Sequence, residues 1–229
     1  MCGRFTVSQP KRIHIRFKTS NKLPLFAFKP SWNIAPSQIV PVIIRNSPNR
    51  VVLMKWGLIW NRGASSGTIN LRSESFKEKP FFGNFLLNKR CLIIADSFYE
   101  WGNVNLEGKI EKYPFNFYLP GRKLFGFAGV YSDFLDAEGK DYYTCAIITC
   151  PANKLVKKIH RRMPVIIKKG DEDFWLNEEN KDFERLFDLL KPYPEKEMRM
   201  NIVSKKVNNP ANDGKELIKK EMYTFLKFL

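Results

Sequence analysis

The sequence predicts a single α+β domain with a β-rich centre, spanning residues 1–229. Three observations carry this reading. Short runs of β-branched and aromatic residues, bounded by turn formers, recur along most of the chain. Helical periodicity is confined to a few short stretches. Neither an internal repeat nor a low-complexity linker divides the sequence. With 44% hydrophobic and 14% aromatic residues among 229, the chain can bury a substantial core and lies outside the disordered range.

In chain order, strands are expected at 39–45, 51–56, 91–98, 115–119, 124–131, 142–149 and 165–167. Ser47-Pro48-Asn49, Pro120-Gly121 and Glu138-Gly139 supply turns between them. Segment 8–17 reads two ways. Ser8 ahead of Pro10 suits a helix start, whereas Ile13, Ile15 and Phe17 alternate as in a strand. A helix is expected at 151–160, opened by Pro151 and presenting Leu155, Val156 and Ile159. Another is expected at 178–190, where Phe183, Leu186, Phe187 and Leu190 fall at i, i+3, i+4 and i+7. A shorter, more polar one is expected at 211–220.

Lys and Arg outnumber Asp and Glu by 39 to 23, a formal charge of +16. Such an excess points to a polyanionic partner, nucleic acid ahead of a membrane surface. A merely lysine-rich surface gives the same imbalance. No run of about 18 apolar residues occurs, and residues 1–17 lack an apolar signal core. The expectation is a soluble, reduced, cytoplasmic monomer, nucleoid-associated in a bacterial host. Cys2, Cys91, Cys145 and Cys150 show no close pairing, and His14 and His160 are the two histidines, so no metal or other cofactor is expected. Cys91, Cys145 and Cys150 lie in apolar runs and read as small core residues.

Chemistry is suggested at four places. Met1 precedes Cys2, and trimming before a small side chain leaves Cys2 as the mature terminus. An N-terminal cysteine carries an amine and a thiol on adjacent carbons, able to attack one carbonyl carbon in turn and close a five-membered ring. With an α-amine pKa of about 7.7–8.0, roughly 10–20% is uncharged at pH 7. Asn70 and Arg72, two apart in Ile69-Asn70-Leu71-Arg72, share one face of an extended strand. Asn70 can orient an amine or carbonyl and Arg72 can bind phosphate, or both are solvated. Glu100, flanked by Tyr99 and Trp101, has its pKa raised if buried, which suits proton transfer. It is an ordinary surface carboxylate if exposed beyond a strand end. His160 either favours a helix C-terminus or acts in a site within the basic turn His160-Arg161-Arg162-Met163-Pro164. Trp32, Trp56, Trp60, Phe98 and Trp101 are interleaved with Arg4, Arg72, Arg161 and Arg162, a mixture that binds single strands by stacking and charge. Most of these rings are expected in the core.

The order Met1-Cys2-Gly3-Arg4-Phe5, Trp32-Asn33-Ile34-Ala35-Pro36, Trp56-Gly57-Leu58-Ile59, Asn70-Leu71-Arg72-Ser73-Glu74, Phe98-Tyr99-Glu100-Trp101 and Ile159-His160-Arg161-Arg162-Met163-Pro164 resembles the SOS-response-associated peptidase family. The tail from Val203-Ser204 through Val207-Asn208-Asn209 to Asp213-Gly214 fits too. The resemblance implies barrel-like antiparallel sheets with peripheral helices, and a protein that senses abasic sites in single-stranded DNA. It implies a covalent thiazolidine crosslink through Cys2, with Asn70, Glu100 and His160 as its chemical partners. Arg4 and Arg72 would hold phosphates, Gly3 would leave room for the DNA backbone, and Pro36 and Trp101 would shape the cleft. Thr149, Arg161 and Arg162 complete the implied DNA contacts. A peptidase with Cys2 as N-terminal nucleophile, self-processing included, and a non-catalytic single-strand binder are the alternatives. The chain departs from the common pattern at Leu71, Ser97 and Arg161. The last is expected to lower the His160 pKa by repulsion.

Overall fold

Strand β3 (Ile39–Ile44) is buried over most of its length because it is paired on both edges, with β4 (Arg50–Trp56) and with β6 (Arg90–Ala95). In this computed structural model, which describes residues 2–24, 26–45, 48–60, 67–106, 108–135, 141–221 and 226–228, the pairing continues into a ring. Strand β6 pairs with β9 (Phe125–Leu135), and β9 with β10 (Asp141–Pro151). Strand β10 returns parallel to β4 at Thr144↔Lys55 and Cys145↔Trp56. These five strands close a barrel. Its strands are the apolar runs of the sequence: Val42, Ile93 and Phe127 sit in register and are buried. Strands β5 (Asn70–Arg72) and β11 (Arg162–Pro164) attach to β10, and β12 (Ile166–Ile167) to β9.

A second sheet leans on the barrel. Its order is β13 (Arg199–Ile202), β8 (Lys109–Tyr118), β7 (Ser97–Leu106), β1 (Phe5–Val7), β2 (Ser31–Ile34), with β14 (Leu226–Phe228) on β7. Aromatic rings join the two layers. Phe5 meets Trp56 edge-on at 4.9 Å and Phe127 at 5.7 Å, and Phe98 meets Phe127 edge-on at 6.1 Å. Trp56 and Phe98 are therefore core residues. So are Cys91, Cys145 and Cys150, all buried with free thiols.

The expected strand 91–98 is two strands. Asp96, 2% exposed, breaks it by taking local hydrogen bonds: its Oδ2 accepts from the Ser8 amide at 2.7 Å and the Ser8 hydroxyl at 2.6 Å, and its Oδ1 from Thr6. The chain thereby leaves the barrel and enters the second sheet. Ser8 is thus not a helix cap. Segment 8–17 holds a 3₁₀ turn at Pro10–Arg12 and the short helix α1 (Ile13–Phe17). Helices α2 (Ser75–Glu78) and α3 (Pro80–Asn88), the latter with proline in its first turn, and α5 (Glu172–Leu176) were not expected.

Helix 151–160 shrinks to α4 (Lys154–Lys157), because Pro151 still pairs in β10 and Asn153 is the true cap, accepting from the Val156 amide at 2.9 Å. Likewise 178–190 shrinks to α6 (Phe183–Asp188), capped by Asp182. Within 211–220 only a 3₁₀ turn at Lys215–Ile218 forms. Ser47, the Glu138-Gly139 turn and residues 63–66 lie outside the described residues. Among the described residues, no helix is long and apolar enough to cross a membrane.

Candidate active site

Residues from β1, β5, β7 and the turn before β11 meet around the chain's start. Strand β1 is central in the second sheet, so the residues ahead of it are held where both layers touch. Asn70, 7% exposed on β5, donates its Nδ2 to the Cys2 carbonyl at 2.8 Å. Its Oδ1 is buried and has no hydrogen-bond partner among the described residues. A buried acceptor left unmade costs about 1–3 kcal/mol, so this atom is set up for a donor the site lacks.

Glu100 lies within β7, opposite Phe115, and is 3% exposed. It is not beyond a strand end. Burial pushes its carboxyl from an ordinary 4.5 up to about 7, opposed by the positive charges of the amino terminus and Lys112. Burial also drives the Cys2 thiol far above its usual range, with the Glu100 charge adding to the rise and the Arg4 carbonyl and amino terminus opposing it. The thiol is therefore protonated. In the chain carrying Met1, Cys2 is buried.

His160 is placed by its own turn. Its Nδ1 lies 3.0 Å from both the amide nitrogen and the carbonyl oxygen of Arg162, so the turn can satisfy either protonation state of that nitrogen. Burial lowers its pKa, opposed by the Arg162 backbone contact, with the amino terminus, Lys112 and Arg162 adding to the fall. The direction is the expected one, but its first cause is burial and not Arg161. The amino terminus thus acts electrostatically on Cys2, Glu100 and His160 alike. Gly102 lets this happen: a Cβ there would meet Ile159 Cγ2 at 2.9 Å and its Cα at 3.3 Å, holding the histidine turn off β7.

The arginines divide into two kinds. Arg72 and Arg161 are exposed. Arg162 is turned inward, bidentate to Glu74 at 2.5 and 2.9 Å and bonded to the Thr149 carbonyl at 2.6 Å. That pairing holds the Glu74 carboxyl down to about 2. Thr149 is itself buried, its hydroxyl 3.3 Å from the Leu71 carbonyl. Arg4 is half-buried and donates to Asn33 Oδ1 and the Val207 carbonyl, both at 2.7 Å, with its guanidinium 5.9 Å over the Trp101 ring. Trp101 donates to Asn208 Oδ1 at 2.7 Å. Gly3 is half-buried, and Pro36 is exposed in a tight turn before Ser37 at φ 70°.

Sequence reasoning did not assign roles to Glu74, Asn33, Asn208, Gly102 or Lys112. Asn33 is the most connected: besides Arg4, its amide donates to the carbonyls of Val207, Asn209 and Asn212, tying the tail beneath β2. Its place inside Trp32–Pro36 and the asparagine-rich tail were the available signals. Among the described residues no group of three His, Cys, Asp or Glu is placed to hold a metal.

The fold is a closed β-barrel flanked by a second sheet, and where the two layers touch Asn70 holds the Cys2 carbonyl and the Glu100 charge acts on the Cys2 thiol. The chain belongs to the SOS response associated peptidase (SRAP) family, whose pattern matches residues 1–210. It is 43% identical over 224 residues to the abasic site processing protein YoqW of Bacillus subtilis (strain 168), covering 95% of this chain and 99% of that one. It is 29% identical over 226 residues to the abasic site processing protein HMCES of Xenopus tropicalis, covering 82% and 65%. A crystal structure of a Bacteroides thetaiotaomicron protein shares the fold with a TM-score of 0.83 at 23% identity, covering 96% of this chain and 100% of that one. A Bordetella bronchiseptica structure does so with 0.71 at 24%, covering 89% and 100%.

Proposed function

We propose that the chain, trimmed to begin at Cys2, recognises abasic sites in single-stranded DNA and traps them as a thiazolidine. The Cys2 amine adds to the ring-opened sugar aldehyde at C1′ and water leaves, giving an imine. The thiol then adds across C=N, sulfur to carbon and proton to nitrogen. No atom is lost in that second step, and the saturated ring removes the electron sink that would otherwise drive strand cleavage.

One observation carries the reading: Asn70 grips the Cys2 carbonyl, and Glu100, a carboxyl poised near neutrality, is close enough for its charge to act on the Cys2 thiol. A group titrating near 7 can give a proton to the departing hydroxyl and take one back. The empty Oδ1 of Asn70 suits an amine N–H. His160 serves ring opening and reversal. Arg72 and Arg161, exposed, take phosphates, and Arg4 and Trp101 shape the cleft with the tail.

The test is a denaturing gel with single-stranded DNA carrying one abasic site. A covalent band is expected from the trimmed chain, absent for Cys2→Ala and for a chain with an uncleaved extension. A band retained by Cys2→Ala would overturn the proposal. Binding without any denaturant-resistant band would support the simple binder instead.

A further inference from the structure

At the opposite end of β1 from Cys2, two cavities adjoin, both touching Gln9 and Arg12. The first holds about 480 Å³ and the second about 500 Å³. Each is in the range of small-ligand sites. Neither cavity is lined by Cys2, Asn70, Glu100, His160 or any other residue of the Cys2 site. They are not part of the site described above.

Three elements send cations into the first cavity: Arg12 from the 3₁₀ turn, Lys123 from the β8–β9 connection and Lys169 from the 3₁₀ turn Lys169–Asp171. All three are exposed, and none forms an ion pair among the described residues. Two further arginines build the wall and are already spent. Arg16 is bidentate to Glu172 at 2.7 and 2.8 Å, which occupies that carboxylate, and Arg122 donates to Asn116 and the Ile218 carbonyl. Leu119, Leu124, Phe125 and Ile167 also line this cavity. The second cavity adds Lys11, Phe28 and Pro30 to the lining.

Three exposed cations outside any ion pair among the described residues, beside a cavity whose lining includes Phe28, match a ligand that is anionic at one end and planar at the other. We infer that this double cavity is a second binding site, for a nucleotide unit. Its phosphate sits among Arg12, Lys123 and Lys169, and its base lies against Phe28. That chemistry has two sources, a free nucleoside monophosphate or one unit of a single strand.

The test uses the full-length chain, ¹⁵N-labelled, titrated with thymidine 5′-monophosphate and separately with unmodified oligothymidylate. Amide shifts are expected at Gly121 and Gly170, and Lys123→Glu with Lys169→Glu should weaken binding at least tenfold. A matched reversal at Lys79 and Lys109, which are exposed and line neither cavity, should change it little. If a strand is the source, the oligonucleotide binds more tightly than the mononucleotide. The paired reversal then lowers its log–log salt slope by about 1.4, near 0.7 per phosphate. If the free nucleotide is the source, the mononucleotide saturates the site and the oligomer fails to displace it. No shifts at these glycines, or equal losses in both double variants, would overturn the inference. Crosslinking to an abasic oligonucleotide by Lys123→Glu with Lys169→Glu is measured alongside and should persist, which keeps this test separate from that of the Cys2 chemistry.

Discussion

Replacing Glu100 by Gln should make the protein more stable and less active, with the stability gain appearing only above acidic pH. The carboxyl rises from 4.5 to about 7 on burial, a difference of about 2.5 units. At 1.36 kcal/mol per unit this is on the order of 3 kcal/mol. Between pH 4.5 and 7 the unfolded chain has released this proton while the folded chain still holds it. Stability therefore falls with rising pH across that window and levels off above it. Glutamine keeps the shape of the neutral acid and never ionises. The variant should match the parent near pH 4 and exceed it by roughly 3 kcal/mol at pH 8, or about 6–12 °C in melting temperature for a chain of this size. Urea unfolding at the two pH values, run beside the crosslinking gel, reads both effects. Equal stability differences at pH 4 and pH 8 would refute the claim that Glu100 is a buried, proton-holding carboxyl.

Three further outcomes follow from named contacts. Asn70→Ala removes the grip on the Cys2 carbonyl and should slow crosslink formation roughly 5- to 100-fold, the kinetic equivalent of about 1–3 kcal/mol, in a single-turnover gel assay. An unchanged rate would detach Asn70 from the chemistry. His160→Ala should slow release of the crosslink, and in the parent the release rate should inflect below pH 6.5, since burial lowers this pKa. An inflection that survives the substitution belongs to another group. Asn33→Ala removes one of the hydrogen bonds of Arg4 and those to the carbonyls of Val207, Asn209 and Asn212, of which Val207 keeps Arg4 and Asn209 keeps the Asn212 amide. It should cost at least about 1–3 kcal/mol by chemical denaturation, with increased amide exchange at 207–212; protected amides there would argue that the tail is held by other means.

How far these features could be read in advance depended on whether the signal was local. Strand pairs such as β3 and β4 are rich in apolar, β-branched residues, and Asn70 and Glu100 stand out as polar among apolar neighbours. The break at Asp96 was invisible because it arises from Thr6 and Ser8, some ninety positions away. Helices 151–160 and 178–190 were overextended because apolar spacing continues past caps that only the fold selects, Asn153 and Asp182. Arg162 illustrates the same limit in the site. A basic turn suggests outward charges, yet Glu74, far off in sequence, draws one of the two guanidinium groups inside.

The most direct test of the account is intact-mass spectrometry of the purified chain before and after incubation with a single-stranded abasic oligonucleotide, followed by digestion to locate the bond. The predicted product lacks Met1, weighs the sum of protein and DNA less one water, and carries the DNA on the Cys2 peptide. An active preparation that retains Met1, or an adduct mapped to an internal lysine, would contradict it.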